Sequence, residues 1–315
     1  MIDIIIPAYN AHNTIMRTLF SIYYQTISDK LNVYICNDCS EKDYSEEVNF
    51  FKDLLNIKEL KLEKNSGPGI ARQTGIDYSD SEYIMFIDSD DVFSSPYSVS
   101  ILYNTIKDRN LDLVGGSFTE ELPDYKRVRS EDTVWLHGKI YRRKFLVDHK
   151  IRFNNTYCNE DNGFNQSIFL RNPKAEYIKP IVYYWCFNEN SITRKNNFKY
   201  QYTGILGYVY NITWALKSAI EDNADYDNIA FLAFAALNTM YYYYARFIDE
   251  KDSEQLLINS KELKEICMKY PVKDEKEKRQ IFDDEYEYFS KEIKDIDKLK
   301  VTFEEFCNLI SEVSE

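Results

Sequence analysis

The sequence predicts an α/β domain built on a mixed, mainly parallel sheet with helices on both faces, followed by a helical C-terminal region. Three observations predict it. Short apolar runs alternate with amphipathic stretches over the first 120 of 315 residues. Runs such as Ile4-Ile5-Ile6 and Ile84-Met85-Phe86-Ile87 carry no alternating polar residues, the pattern of strands buried on both sides. After about residue 200 a helical period replaces the alternation almost throughout. The expected division is therefore 1–199 for the α/β domain and 200–315 for the helical region.

Strands are expected over 2–9, 33–38, 59–63, 83–87 and 111–118, and helices over 14–25, 44–55, 68–78 and 96–109. Further on, helices are expected at 142–149 and 163–170, and β structure at 178–187. Residues 229–245 (IAFLAFAALNTMYYYYA) are too short, with Asn238 inside, to be preferred as a membrane span, and a buried helix fits better. The Tyr241-Tyr242-Tyr243-Tyr244 run points all round such a helix, which suits packing rather than a sugar platform. Residues 250–315 hold 12 Lys/Arg and 19 Asp/Glu interleaved with apolar positions, as in amphipathic helices with solvated faces. Their apolar stripes need a partner surface, so an accessory role in acceptor binding or homo-oligomerisation is expected.

A net charge of −13 opposes long-range attraction to polyanions, which makes unmodified nucleic acid a poor partner. The start, Met1-Ile2-Asp3-Ile4-Ile5-Ile6-Pro7, lacks a basic leader followed by an apolar core and a small-residue cleavage site, and no run of 18 uncharged apolar residues occurs, so a cytoplasmic chain without a transmembrane segment is expected. Six cysteines are too few for a disulfide framework. Cys36-x-x-Cys39 ends an apolar strand rather than opening a helix, and no second pair completes a zinc site. Lys126, Arg127, Arg129, Lys139, Arg142, Arg143 and Lys144 form a local basic cluster. It suits an anionic acceptor, peripheral contact with the inner membrane face, or a solvated surface.

Open α/β sheets bind ligands beyond the carboxyl ends of their strands, and the polar chemistry lies just after each apolar run: Tyr9-Asn10, Asn37-Asp38, Asn65-Ser66-Gly67 and Asp88-Ser89-Asp90-Asp91. In an extended segment Asp88 and Asp90 would face one side, about 6–7 Å apart. Hard oxygen ligands of this kind suit Mn²⁺ or Mg²⁺, although two carboxylates could equally cap the next turn. Asp225/Asp227 and Asp295/Asp297 repeat the spacing within helical patterns and read as solvated surface.

Taken together, Ile5-Ile6-Pro7-Ala8-Tyr9-Asn10, Asn37-Asp38-Cys39-Ser40, Asn65-Ser66-Gly67-Pro68-Gly69-Ile70-Ala71-Arg72, Asp88-Ser89-Asp90-Asp91 and Glu160-Asp161 resemble the inverting glycosyltransferases of family 2, over about residues 1–195. The resemblance implies the GT-A, Rossmann-like nucleotide-sugar fold. It also implies a single sugar moved from a UDP-sugar to a hydroxyl on a cell-surface polysaccharide, wall polymer or other glycoconjugate. The processive pattern Q-x-x-R-W is absent.

By this resemblance Pro7, Ala8 and Tyr9 wall the base pocket and Asp38 accepts the uracil imide N–H; capping a turn is the other role open to Asp38. Gly67 and Arg72 meet phosphate or base at a helix start, Asp88 and Ser89 meet the nucleotide, and Asp90 binds the metal. Where the family often has Asn after this arginine, the chain has Gln73. Asp161 is implied as the general base. Glu160 orients the loop or an acceptor hydroxyl, and an acidic pair at a helix start also serves as a cap. His137 is a candidate on the diphosphate or acceptor side, while Arg194 and Lys195 could neutralise phosphate.

Two other readings stand beside the transferase. A sugar-1-phosphate nucleotidyltransferase would need a Gly-rich loop after the first strand, and Pro7-Ala8-Tyr9-Asn10-Ala11-His12-Asn13 has no Gly. A noncatalytic nucleotide-sugar-binding module would have no use for the base at Asp161.

Overall fold

A computed structural model describes residues 1–130, 134–156, 158–189, 198–250, 253–293 and 296–313. The chain divides into two compact units, Met1–Asn196 and Asn197–Glu315. In the first, the elements run β1 (Ile2–Ala8), α1 (Ile15–Tyr23), β2 (Leu31–Asn37), α2 (Ser45–Phe51), β3 (Asn56–Lys61), α3 (Pro68–Tyr78), β4 (Tyr83–Phe86), β5 (Val92–Phe93) and α4 (Ser98–Asp108). They continue with β6 (Leu113–Glu121), β7 (Arg127–Ser130), β8 (Lys139–Arg142), α5 (Arg143–Asp148), α6 (Glu160–Phe169) and β9 (Ala175–Trp185).

Among the described residues these strands form one sheet in the order β3-β2-β1-β4-β8-β6-β9-β5, with β7 against β6. The β3-β2-β1-β4 half is parallel throughout. The other half is mixed because β8, a short strand that no sequence signal announced, enters antiparallel between β4 and β6. β9 then pairs parallel with β6 and antiparallel with β5. Because β8 runs opposite to its neighbours, β4 and β6 point the same way and end at the same edge.

Residues of β1 alternate between the two faces, as a strand period of two requires. Ile4 and Ile6 pack with Ile15, Leu19, Phe51 and Leu102, under α1, α2 and α4. Ile5 packs with Ala71, Ile76, Phe86, Phe164 and Ile168, under α3 and α6. Both layers are apolar, so β1 and β4 are buried at every position and the sequence shows no polar alternation there.

The second unit contains α7 (Phe198–Glu221), α8 (Tyr226–Phe247), α9 (Ser253–Lys269), α10 (Glu275–Ser290) and α11 (Phe303–Glu312). Asp225 caps α8 through the backbone N–H groups of Asp227 and Asn228, and Thr302 and Glu305 close a capping box on α11. The tyrosine run packs on several sides of α8. Tyr242 stacks on Phe289 at 4.9 Å, Tyr244 meets Phe306 at 5.4 Å, and Tyr241 donates to the Val301 carbonyl at 3.1 Å. Among the described residues no helix is long and apolar enough to cross a membrane.

Candidate functional site

The carboxyl ends of β1, β2 and β4 meet the N-terminal turns of α3 and α6. Pro7 and Ala8 are buried within β1, whereas Tyr9 just beyond it is 54% exposed. The Ala8 carbonyl accepts the Asp38 N–H at 2.9 Å. Asp38 itself is buried, and its two carboxylate oxygens accept the backbone N–H groups of Ser66 (2.7 Å) and Gly67 (2.8 Å). It therefore holds the turn that opens α3. Gly67 occupies this turn at φ 86°, a conformation that side-chain-bearing residues rarely adopt.

Beyond β4 the chain turns sharply instead of continuing extended. Asp91 N donates to the Asp88 carbonyl at 3.1 Å, so positions i and i+3 come together rather than the expected i and i+2. Ligand atoms of Asp88, Asp91 and His137 lie within 4.8 Å of one another. Asp90, expected to bind metal, lies outside this group. Its carboxylate accepts from Asn188 Nδ2 at 2.7 Å, and Arg17 holds its backbone carbonyl. Ser89 sits half-buried in the turn.

Asp91 is fully buried and accepts from Tyr183 Oη at 2.6 Å and Cys186 N at 2.8 Å. Burial and the charges of Asp90 and Asp88 push its pKa well up. Burial and Asp88 also raise that of Asp90. For Asp88 burial works upward too, but Arg72 and His137 prevail and hold its carboxyl below the usual range. His137 stacks on Tyr183 (4.8 Å) beside Phe118 and Trp185, and burial pushes its pKa down to about 4. Its imidazole is neutral at physiological pH and its buried Nδ1 has no hydrogen-bond partner. A neutral imidazole beside crowded carboxylates fits a divalent cation that takes nitrogen as well as oxygen, as Mn²⁺ does.

Arg72, on α3, is 6% exposed and both ends of its guanidinium are engaged. Nη1 donates to Glu160 Oε1 and Nη2 to Asp88 Oδ1, each at 2.7 Å. Burial opposes its charge, but the two flanking carboxylates more than compensate and raise its pKa. The expected phosphate-facing arginine thus ties the end of β4 to the first turn of α6.

The helix expected from Gly163 starts three residues earlier, after Asn159 at φ 60°, which brings Glu160 and Asp161 into its first turn. Asp161 Oδ1 accepts the backbone N–H of Asn162 at 2.8 Å. Burial, then the charge of Glu160, pushes its pKa up to about 7 against the pull of Arg72. A carboxylate with this affinity can take a proton at neutral pH.

The family model of glycosyl transferase family 2 matches residues 3–160. This chain belongs to glycosyltransferase family 2. Poly(ribitol-phosphate) beta-N-acetylglucosaminyltransferase TarP of Staphylococcus aureus (strain N315) is 34% identical over 249 residues, covering 71% of this chain and 75% of TarP. Poly(ribitol-phosphate) beta-glucosyltransferase of Bacillus spizizenii is 29% identical over 202 residues, covering 58% of this chain and 32% of that enzyme. The chain spans about a third of the length of the first curated relatives it matches. The crystal structure of S. aureus TarS 1-349 in complex with UDP-GlcNAc superposes with a TM-score of 0.71, covering 96% of each chain at 16% identity. That likeness shows that the family 2 chain has the GT-A fold with a helical C-terminal region.

The structure brings Asp88, Asp161, Glu160, Arg72 and His137 near one another, with partners that the sequence did not indicate. Sequence reasoning missed Asp91 and Asn188. The third Asp of Asp88-Ser89-Asp90-Asp91 could have been found from turn chemistry, whereas Asn188 is 98 positions from its partner and had no local signal. Arg194 and Lys195 lie outside the described residues. Much of the basic cluster is engaged locally: Lys126 with Asp124, Arg127 with Glu121, Arg142 with Glu82 and Lys144 with Asp148. Such pairs support the solvated reading of that surface, except at Lys139, which is buried and donates to the Trp135 carbonyl.

Proposed function

We propose that this chain moves one sugar from a UDP-sugar to a hydroxyl of an anionic wall polymer of the poly(ribitol phosphate) type, by a single displacement that inverts the anomeric centre. The names of TarP and the B. spizizenii enzyme support the polymer, and the UDP-GlcNAc complex of TarS supports the donor. They name two different sugars, so either glucose or N-acetylglucosamine suits the donor. The helical unit is the proposed accessory element for the acceptor.

The observation that carries the catalytic reading is the placement of Asp161. It stands in the first turn of α6, joined through Glu160 and Arg72 to Asp88 at the end of β4. In transfer the acceptor hydroxyl must lose a proton as the anomeric carbon becomes cationic and the diphosphate gains charge. Asp161 takes the proton. Asp88, Asp91 and His137 would hold the divalent cation, Mn²⁺ or Mg²⁺, with Asp90 behind them. Such an ion, when bound, stabilises negative charge on the departing diphosphate. Tyr9 and Asp38 line the side expected to receive the base.

The test is Asp161→Asn, assayed with UDP-GlcNAc or UDP-glucose, poly(ribitol phosphate) and Mn²⁺. Transfer is expected to collapse while UDP still binds. Near-parental transfer would reject the base assignment, because an Asn caps a helix about as well as Asp.

A further inference from the structure

α3 lies along the segment that leads into Asp161 and touches it repeatedly. Gly69 is backed so closely against Glu160 that a Cβ there would come within 2.9 Å of Glu160 Cγ and 3.1 Å of the Asn154 carbonyl. One turn on, Gln73 is 5% exposed and both ends of its amide are used. Its Oε1 accepts the backbone N–H of Phe153 at 2.9 Å, and its Nε2 donates to Asp77 Oδ1 at 2.9 Å. Asp77 in turn takes both guanidinium ends of Arg152, at 2.9 and 2.7 Å. Phe153, pinned in this way, stacks on Phe164 of α6 with ring centroids 4.1 Å apart and planes within 3°. Gly69, Gln73 and Asp77 recur at helical spacing of four, so one stripe of α3 fastens the start of the segment, and Phe153 carries the fastening to α6.

We infer that Gln73 is a positioning residue for transfer: its side-chain amide fixes the backbone at Phe153 and, through the Phe153–Phe164 stack, sets where α6 presents Asp161. The inference rests on the transferase reading with Asp161 as base. Both ends of the amide are engaged by Phe153 and Asp77, so its loss should affect the chemical step rather than donor binding. An ångström of misplacement can cost about 10²-fold in rate. The chain's departure from the family's more usual Asn is then functional: Gln is longer by one methylene, and its amide reaches both the Phe153 N–H and Asp77.

The experiment uses the full chain with UDP-GlcNAc, poly(ribitol phosphate) and Mn²⁺. Gln73→Leu keeps the approximate volume and removes both hydrogen bonds, whereas Gln73→Glu combined with Asp77→Asn keeps the acceptor for Phe153 N–H and gives the other carboxylate oxygen an amide donor in place of the Asp77 carboxylate. Gln73→Leu is expected to lower kcat by roughly 10- to 100-fold with the donor KM within about twofold. The Gln73→Glu/Asp77→Asn pair is expected to recover most of that loss. Hydrogen exchange at the amides of 153–161 should accelerate at least about tenfold in Gln73→Leu and less in the pair. A folded Gln73→Leu with parental kcat, or with unchanged exchange at 153–161, overturns the inference. So does a loss shared equally by kcat and donor affinity. Should Gln73→Leu not fold, Gln73→Asn withdraws the same amide by one methylene and must show the same split between kcat and KM. Active Asp161→Asn would instead remove the base reading, an outcome separate from any result at Gln73.

Discussion

Buried and half-buried aspartates stand at the two ends of the sheet, and their surroundings differ. Asp3, at the start of β1, is completely buried and surrounded by neutral donors: Asn32 Nδ2 (2.7 Å), Ser81 Oγ (2.6 Å), Ser81 N (3.1 Å) and Ser79 Oγ. Asp161, at the opposite end, accepts the backbone N–H of Asn162 and has the negative charge of Glu160 beside it. Asp91, although it too accepts from the neutral donors Tyr183 Oη and Cys186 N, and Asp90 also face other carboxylates. A buried charge met by neutral donors tightens a fold, whereas buried charges set against each other cost stability and retain affinity for a proton or a cation. Under the proposed function the difference lies between an aspartate that holds the fold and aspartates that meet a proton or an ion.

Substituting Asn at each end breaks or sharpens this contrast. The largest effect expected is on transfer in Asp161→Asn, a fall of about 10²- to 10⁴-fold, with UDP affinity retained and a melting temperature at pH 8 equal to or above that of the parent. Next is Asp3→Asn, which turns an amide N–H₂ toward donors that need an acceptor. It is expected to cost about 3 kcal/mol of unfolding free energy while leaving kcat per folded molecule unchanged. Chemical denaturation and steady-state assays measure both. A destabilised Asp161→Asn with full activity, or an inactive but stable Asp3→Asn, would erase the distinction.

A smaller effect is expected at His137. Its neutral, unpartnered Nδ1 should give His137→Ala a loss of about 10- to 100-fold in Mn²⁺ activation, read by titrating the ion after chelation. The smallest effect is the pH dependence. With Asp161 raised from the ordinary 3.8 to about 7, transfer should fall about tenfold per unit below pH 7, as the base becomes protonated. The same shift makes the folded state bind the proton more tightly than the unfolded chain. Its stabilising contribution is therefore complete below about pH 4 and is lost as pH rises through about 7. Melting curves between pH 4 and 8 should be less steeply pH-dependent in Asp161→Asn, and an unaltered slope would place the titration elsewhere.

Much of this was legible in the sequence because it is local. Uninterrupted apolar runs marked the strands buried on both faces. Gly67-Pro68 marked the start of α3, whose observed bounds Pro68–Tyr78 coincide with those expected. Placing the polar residues directly after the strands located the end of the sheet that carries the site, since a few residues beyond a buried strand must emerge at its edge. Glu160-Asp161 was visible as an acidic pair before an apolar helix, although the left-handed Asn159 that brings both into the first turn was not.

Tertiary structure decided the partners. Arg72 reaches Glu160 across 88 positions and Asp88 across 16, and nothing in the local pattern at Arg72 distinguishes a carboxylate from a phosphate as its destination. The turn at Asp88–Asp91 replaced an extended geometry and exchanged Asp90 for Asp91 beside His137. β8 has four residues, too few for a period to declare itself, and it is stabilised by pairing with β4 and β6. Apolar periodicity, caps and turns act within about ten residues and are written in the chain. Ion pairs and proton affinities depend on which distant loops share a low-dielectric space, and folding alone brings those loops together.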